Sequence, residues 1–188
     1  MQRSIHEEVV ERLGAFSKTL KVGDPLDPTT NLGPLISQRQ LDKVLGYLDQ
    51  GPKEGARLVT GGHRLGGELS NGYYVAPTVF GNVNNTMTIA REEIFGPVLS
   101  IMSFRTPDEA IEKANNTCYG LSAGVWTDKG SKILKMAAAL KAGVVWANTY
   151  NKFDPSSPFG GYKESGFGRE GGKHGLLDYA SLQSTEAG

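Results

Sequence analysis

The stretch Val98–Asn148, VLSIMSFRTPDEAIEKANNTCYGLSAGVWTDKGSKILKMAAALKAGVVWAN, alternates short apolar runs with amphipathic segments. Val98 to Phe104 predicts a strand. Pro107 to Asn115 predicts a helix with proline in its first turn, where a missing N–H costs nothing. Leu121 to Trp126 predicts a second strand, and Lys129 to Leu140 an Ala-rich helix through Ile133, Leu134, Met136 and Ala137. Ala142 to Asn148 predicts a third, buried strand. Strands alternating with helices of about ten residues predict an α/β fold: an open, twisted, mostly parallel sheet flanked by helices.

Upstream the pattern is looser. From Ser4 to Leu20, Ile5, Val9, Leu13, Phe16 and Leu20 recur at helical spacing, with Ser4 as the expected N-cap and Glu7 as its box partner. Lys21 to Pro34 is a proline-punctuated loop. A second helix carries Leu41, Val44, Leu45 and Leu48 and is expected to stop near Gly51-Pro52. Arg57 to Thr60 predicts a short strand, and Tyr73 to Val83 an alternating edge or bent strand around Pro77. Downstream of Asn148 the rhythm lapses into a loop, Asp154 to Gly172, rich in proline, glycine and serine. Ligands in open α/β sheets sit beyond the carboxyl ends of strands, so this loop is the expected active surface.

Composition excludes several functions. Lys+Arg and Asp+Glu are 20 each, which lacks the basic excess of a phosphate-backbone binder, so no nucleic-acid partner is expected. No apolar run approaches the ~18 residues of a membrane span, and no leader pattern opens the chain, which gives a cytoplasmic expectation without membrane partners. The single cysteine, Cys118, forms no internal disulfide or cysteine cluster, and three dispersed histidines, His6, His63 and His174, predict no metal site. The 25 glycines exceed the average of about 7% and point to tight turns and close backbone approaches.

Four segments bear on chemistry. Gly166-Phe-Gly168-Arg-Glu-Gly171 has the dinucleotide GxGxxG spacing, but polar Lys163-Glu164-Ser165 precedes it, which reads as an ordinary glycine loop. Cys118, between a helix and a strand with no histidine nearby in sequence, reads as a structural or incidental cysteine. Arg91-Glu92-Glu93-Ile94-Phe95-Gly96-Pro97 makes a rigid loop that either presents an acid for ribose hydroxyls and a ring for a flat heterocycle, or carries solvated acids and a core phenylalanine. Phe153, Phe159 and Tyr162, flanked by Gly160-Gly161, either line an apolar ligand tunnel or cap the core.

Together these segments resemble the aldehyde dehydrogenase superfamily. The residues that carry the resemblance are Glu92-Glu-Ile-Phe-Gly-Pro-Val98, Asn115-Asn-Thr-Cys-Tyr-Gly-Leu-Ser-Ala-Gly-Val-Trp126 and Ser157-Pro-Phe-Gly-Gly-Tyr-Lys-Glu-Ser-Gly-Phe-Gly-Arg-Glu170. Lys21-Val-Gly-Asp-Pro25, Gly33-Pro-Leu-Ile36 and Tyr74-Val-Ala-Pro-Thr78 add to it, in collinear order along essentially the whole chain. The resemblance implies oxidation of an aldehyde to a carboxylate with NAD or NADP, through a cysteine thiolate and a glutamate-activated water. It implies that Glu93 binds the nicotinamide ribose, that Phe95 lies beside the nicotinamide, and that Phe153 and Phe159 line the aldehyde tunnel.

The resemblance covers the C-terminal two-fifths of such enzymes. It implies that the cofactor domain, general base, oxyanion asparagine and nucleophile lie upstream of Met1, and it puts Cys118 away from the family nucleophile. The expected division is 1–165, a partial catalytic domain, and 166–188, a C-terminal loop, short helix and tail. No catalytic residue is assigned, and the chain is expected to be inactive alone. Expected partners are an aldehyde, a separate chain of roughly 300 residues with the cofactor domain and nucleophile, and further copies of this chain. Against the last, Tyr179–Gly188 is polar where the family has an apolar pairing strand. The alternative is a non-catalytic interaction module that binds a partner through the surface otherwise facing the cofactor domain.

Overall fold

The computed structural model describes residues 1–180. The chain is α/β, with mixed sheets, and divides into two compact units, Met1–Thr106 and Pro107 onward. The polar tail beyond Ala180 lies outside the described residues.

The first unit is a three-stranded sheet between two helices. Its strands are β1 (Arg57–Thr60), β2 (Thr78–Gly81) and β3 (Val98–Ser100), in the order β1-β2-β3. β1 runs antiparallel to β2 with Leu58 opposite Phe80, and β3 runs parallel to β2 with Leu99 opposite Val79. Successive strand residues point to opposite faces. Val79 accordingly joins Val10 and Ile101 under α1 (His6–Ser17), while Phe80 joins Leu41, Val44 and Leu48 of α2 (Gln38–Lys53). Helices on both faces leave β2 with no wet side. All four of its residues are buried, so the expected alternation across Tyr73–Val83 shrinks to four residues after Pro77.

Other expectations shift for physical reasons. Ser4 is not the cap of α1: it lies in a 3₁₀ turn, Arg3–Ile5, and the helix starts at His6 with Ile5 as N-cap. The buried face of α1 is His6, Val10 and Gly14, while Ile5 and Phe16 are exposed. A histidine and a glycine on that face hid it from a count of apolar residues. Ser37 caps α2 through its side chain, which accepts from Gln40 N, and the helix runs through Pro52 to Lys53. β3 ends at Ser100; farther on, Phe104 bridges to Gln2.

Glu54 ties the end of α2 to the short helix α3 (Thr88–Arg91), which leads into the acidic loop. Its carboxylate accepts from Thr88 N and Oγ1, both at 2.6 Å, and from Gln50 Nε2 at 3.0 Å. The Gln50 amide first, then the Thr88 hydroxyl, hold the carboxyl below its ordinary value of 4.5. A lowered folded value means that this stabilisation is complete above the unfolded value and is lost as pH falls through the folded one. The thermal midpoint is therefore expected to fall as the pH drops below 4.5, with a shallower decline in Glu54→Gln, checked by calorimetry across that range.

The second unit contains α4 (Pro107–Asn115), where expected, and two further ladders. β4 (Tyr119–Gly120) pairs antiparallel with a short later strand, β7 (Tyr162–Lys163). β5 (Ser122–Val125) runs parallel to β6 (Val144–Ala147), with Gly124 opposite Trp146, and α5 (Gly130–Ala139) packs on both. β6 is less buried than expected: of its four residues only Trp146 is buried. The expected loop Asp154–Gly172 holds β7 and a bridge between Phe159 and Glu170, and the short helix α6 (Gly172–Leu177) follows it. No described helix is long and apolar enough to cross a membrane.

Candidate functional site

In the first unit, α2 holds the loop Glu92–Pro97 by its main chain. Ile94 anchors the loop by burial in the core cluster that contains Leu41, Val44 and Phe80. Gln40 Nε2 donates to the carbonyls of Ile94 and Phe95 at 2.8 and 3.0 Å, and Lys43 Nζ donates to the Glu93 carbonyl at 2.8 Å. Tyr47 Oη donates to Glu92 Oε2 at 2.7 Å. At Gly96 a β-carbon would stand 2.8 Å from Val44 Cγ2, so only glycine lets the loop lie this close to α2.

With its carbonyls engaged and Ile94 buried, the loop turns Glu93 and Phe95 outward. Phe95 has a positive φ of 58° and is 73% exposed, and Glu93 is exposed as well. Between the two readings left open, the core-phenylalanine reading fails: the core residue of this loop is Ile94. A non-glycine residue in the left-handed region is uncommon, and a ring held outward there is free to lie against a ligand.

Gln40, Lys43 and Tyr47 were not singled out by sequence reasoning. Their spacing of three and four puts them along one side of α2, a polar stripe beside the apolar one of Leu41, Val44 and Leu48. The signal was present, but its targets were not: for Gln40 and Lys43 three backbone carbonyls 50 to 55 residues away, and for Tyr47 the Glu92 carboxylate.

In the second unit, Phe153 and Phe159 come together edge-on, with centroids 5.0 Å apart and planes at 82°. They extend a chain of rings: Trp146 lies 5.6 Å from Phe153 and 4.8 Å from Tyr150. Phe159 is fixed by a two-bond bridge, its N–H and carbonyl each pairing with Glu170 at 2.7 Å. Phe153, 58% exposed, borders a cavity of about 770 Å³ with Val144, Trp146, Pro158 and Phe159. Tyr162 is apart from this group: it pairs with Gly120 in the β4–β7 ladder, and the Arg169 guanidinium lies 4.9 Å from its ring centre.

Cys118 is exposed in the turn between α4 and β4, and its carbonyl accepts from Glu164 N. Gly166, Gly168 and Gly171 all have positive φ, and α6, which follows them, has six residues. Among the described residues no group of three His, Cys, Asp or Glu side chains gathers to hold a metal ion.

The aldehyde dehydrogenase family model matches residues 1–185. Aldehyde dehydrogenase 1A1 of Mus musculus is 47% identical over 184 residues, covering 98% of this chain and 36% of the relative. The NAD+ complex of aldehyde dehydrogenase from Bacillus cereus superposes with a TM-score of 0.91 at 46% identity, over 96% of this chain and 36% of that one. The Mycobacterium tuberculosis aldehyde dehydrogenase complexed with NAD+ gives 0.90 at 47% identity, over 95% and 36%. The chain thus spans about 36% of the length of these relatives. With a family match over residues 1–185 and a relative 47% identical over 98% of its length, this chain belongs to the aldehyde dehydrogenase family.

Proposed function

We propose that this chain supplies the nicotinamide-side and aldehyde-side walls of an NAD(P)-dependent aldehyde dehydrogenase and does not turn over by itself. The observation that carries the reading is the clamped loop: α2 fixes the backbone of Glu93–Phe95 and leaves one carboxylate and one ring exposed on either side of the buried Ile94. These residues fit a nicotinamide nucleotide. A carboxylate accepts both hydroxyls of a ribose, and an aromatic ring lies against a flat heterocycle. When bound, the nicotinamide supplies the hydride-accepting chemistry. Glu93 would hold its ribose and Phe95 would border its ring. Both solved structures named above are NAD+ complexes, which supports this choice of ligand.

Phe153 and Phe159 would form the apolar wall against which an aldehyde lies, because their edge-on pair borders the ring-lined cavity. No residue of this chain is proposed as nucleophile or general base. Cys118, the single cysteine, sits exposed in a turn that has no histidine near it in sequence. The missing parts would come from chain beyond these 188 residues, as a covalently continuous segment or as a separate subunit. The cytoplasm is the proposed location and further copies of the chain are proposed neighbours.

The test is aldehyde-dependent NADH formation when the 188-residue chain is combined with a chain carrying the family's cofactor domain and nucleophile. Activity on mixing is the expected result. A stable complex without any response to aldehyde or NAD would instead favour a non-catalytic interaction module. In the active assembly, Phe153→Ala is expected to change the relative kcat/KM between a bulky and a small aldehyde by about tenfold or more, with NAD affinity nearly intact. An unchanged ratio would remove Phe153 from the aldehyde wall.

A further inference from the structure

We propose that Trp146 is the positioning residue for Phe153, and therefore sets the shape of the aldehyde wall from outside the reacting atoms. This rests on the reading above, in which Phe153 lines the aldehyde site. Trp146 is the buried residue of β6, 9% exposed. Its indole Nε1 donates to the carbonyl of Lys152 at 2.9 Å, the residue immediately before Phe153. The same indole meets the Phe153 ring edge-on, at 5.6 Å and 88°, and the Tyr150 ring at 4.8 Å and 64°. One side chain on a strand thus holds both the backbone and the ring of a loop residue six to seven positions later.

The segment between them needs such a hold. Asn148 and Asn151 both have positive φ, 54° and 55°, and every residue from Asn151 to Pro158 is exposed. The loop is moored at its start, where Asn148 Oδ1 accepts from Thr127 N at 2.9 Å and its Nδ2 donates to Thr127 O at 3.0 Å. It is moored at its far end by the Phe159–Glu170 bridge. Between those points Gly172 N donates to the Pro155 carbonyl at 2.8 Å, and Phe153 itself is held by the indole bond to Lys152 and by the rings of Trp146 and Phe159. Aromatic pairs carry a geometric preference beyond the area they bury, so an edge-on indole specifies the angle of the ring as well as its place. A site that discriminates between apolar substrates by shape requires that kind of fixed wall.

The bond to Lys152 also gives the test its readout, because trypsin cleaves the Lys152–Phe153 peptide whose carbonyl the indole holds. In the 188-residue chain, Trp146→Phe keeps an aromatic ring at the position and removes the Nε1 donor together with part of the indole's contact surface. Tryptic nicking at Lys152–Phe153 is expected to rise about fivefold, the equilibrium value of one ordinary hydrogen bond. Cleavage after Lys129, whose carbonyl accepts from Lys132 N and Ile133 N, is the control and should not change. Unchanged nicking at Lys152 would overturn the proposal. If every site is cut faster, the variant has loosened as a whole and the wild-type chain decides. It has two tryptophans, and the indole N–H of Trp146 should exchange at least about tenfold more slowly than that of Trp126, which is 62% exposed. Equal exchange would overturn the proposal.

In the active assembly, Trp146→Phe should raise KM for a bulky aldehyde severalfold while KM for NAD stays put. An unmoved aldehyde KM would overturn the positioning role. A wild-type assembly that oxidises no aldehyde would refute the functional reading alone, and the nicking and exchange results would still judge the hold on Phe153.

Discussion

Gly143→Ala is expected to destabilise the second unit by about 3 kcal/mol, the upper range for forcing extra atoms into a packed site. Gly143 sits just before β6, and its N–H donates to the Gly120 carbonyl at 3.0 Å. A β-carbon there would overlap the carbonyl oxygen of Gly160, and the next-nearest atom is the Gly160 carbonyl carbon. The obstacle is backbone on both sides, so no rotamer change relieves it. Both tryptophans belong to this unit, so urea unfolding followed by tryptophan fluorescence reports on it directly. Gly130→Ala is the matched control: it begins α5, a β-carbon there meets nothing within 4 Å, and it should be neutral or slightly stabilising. A Gly143→Ala midpoint equal to wild type would mean that the approach of β6 to the Gly160 loop does not hold in solution.

Glu93→Gln is the corresponding functional change. In the active assembly it should weaken NAD binding by about 1.5–3 kcal/mol, because a neutral amide loses charge-assisted acceptance of the ribose hydroxyls. That is about tenfold to a hundredfold in affinity. The loop should keep its shape, since Lys43 holds the carbonyl of Glu93 and not its carboxylate. KM for the aldehyde should change far less than NAD affinity, which titration of NAD against wild type and variant would show. Equal affinity would exclude Glu93 from the cofactor contact.

How far these sites can be read from sequence depends on what each residue contacts. α4 is legible to the residue because proline fixes its start and its apolar spacing is regular. α2 is legible through the helical spacing of Leu41, Val44, Leu45 and Leu48, although it runs on through Pro52 where a stop was expected. The buried face of α1 is not, because His6 and Gly14 occupy it and neither counts as apolar. β2 misleads in the opposite way: a strand covered by helices on both faces has no polar side to alternate with.

The site divides along the same line. Glu93, Phe95, Phe153 and Phe159 stand within motifs and are visible one segment at a time. What orients them acts across the chain. Gln40 and Lys43 reach carbonyls near residue 94, and a carbonyl has no letter in the sequence. The same holds for Trp146, whose indole bonds to a backbone oxygen of Lys152. Phe95 shows how much this matters: the ring reads equally as core or ligand contact until a buried Ile94 beside it settles which residue the core takes.

The central claim is that this chain contributes binding walls and no catalyst. It is tested most directly by assaying the purified 188-residue chain alone for aldehyde-dependent NADH formation, as wild type and as Cys118→Ser. The account predicts no turnover above the blank from either protein. Turnover by the wild-type chain alone, abolished in Cys118→Ser, would contradict it.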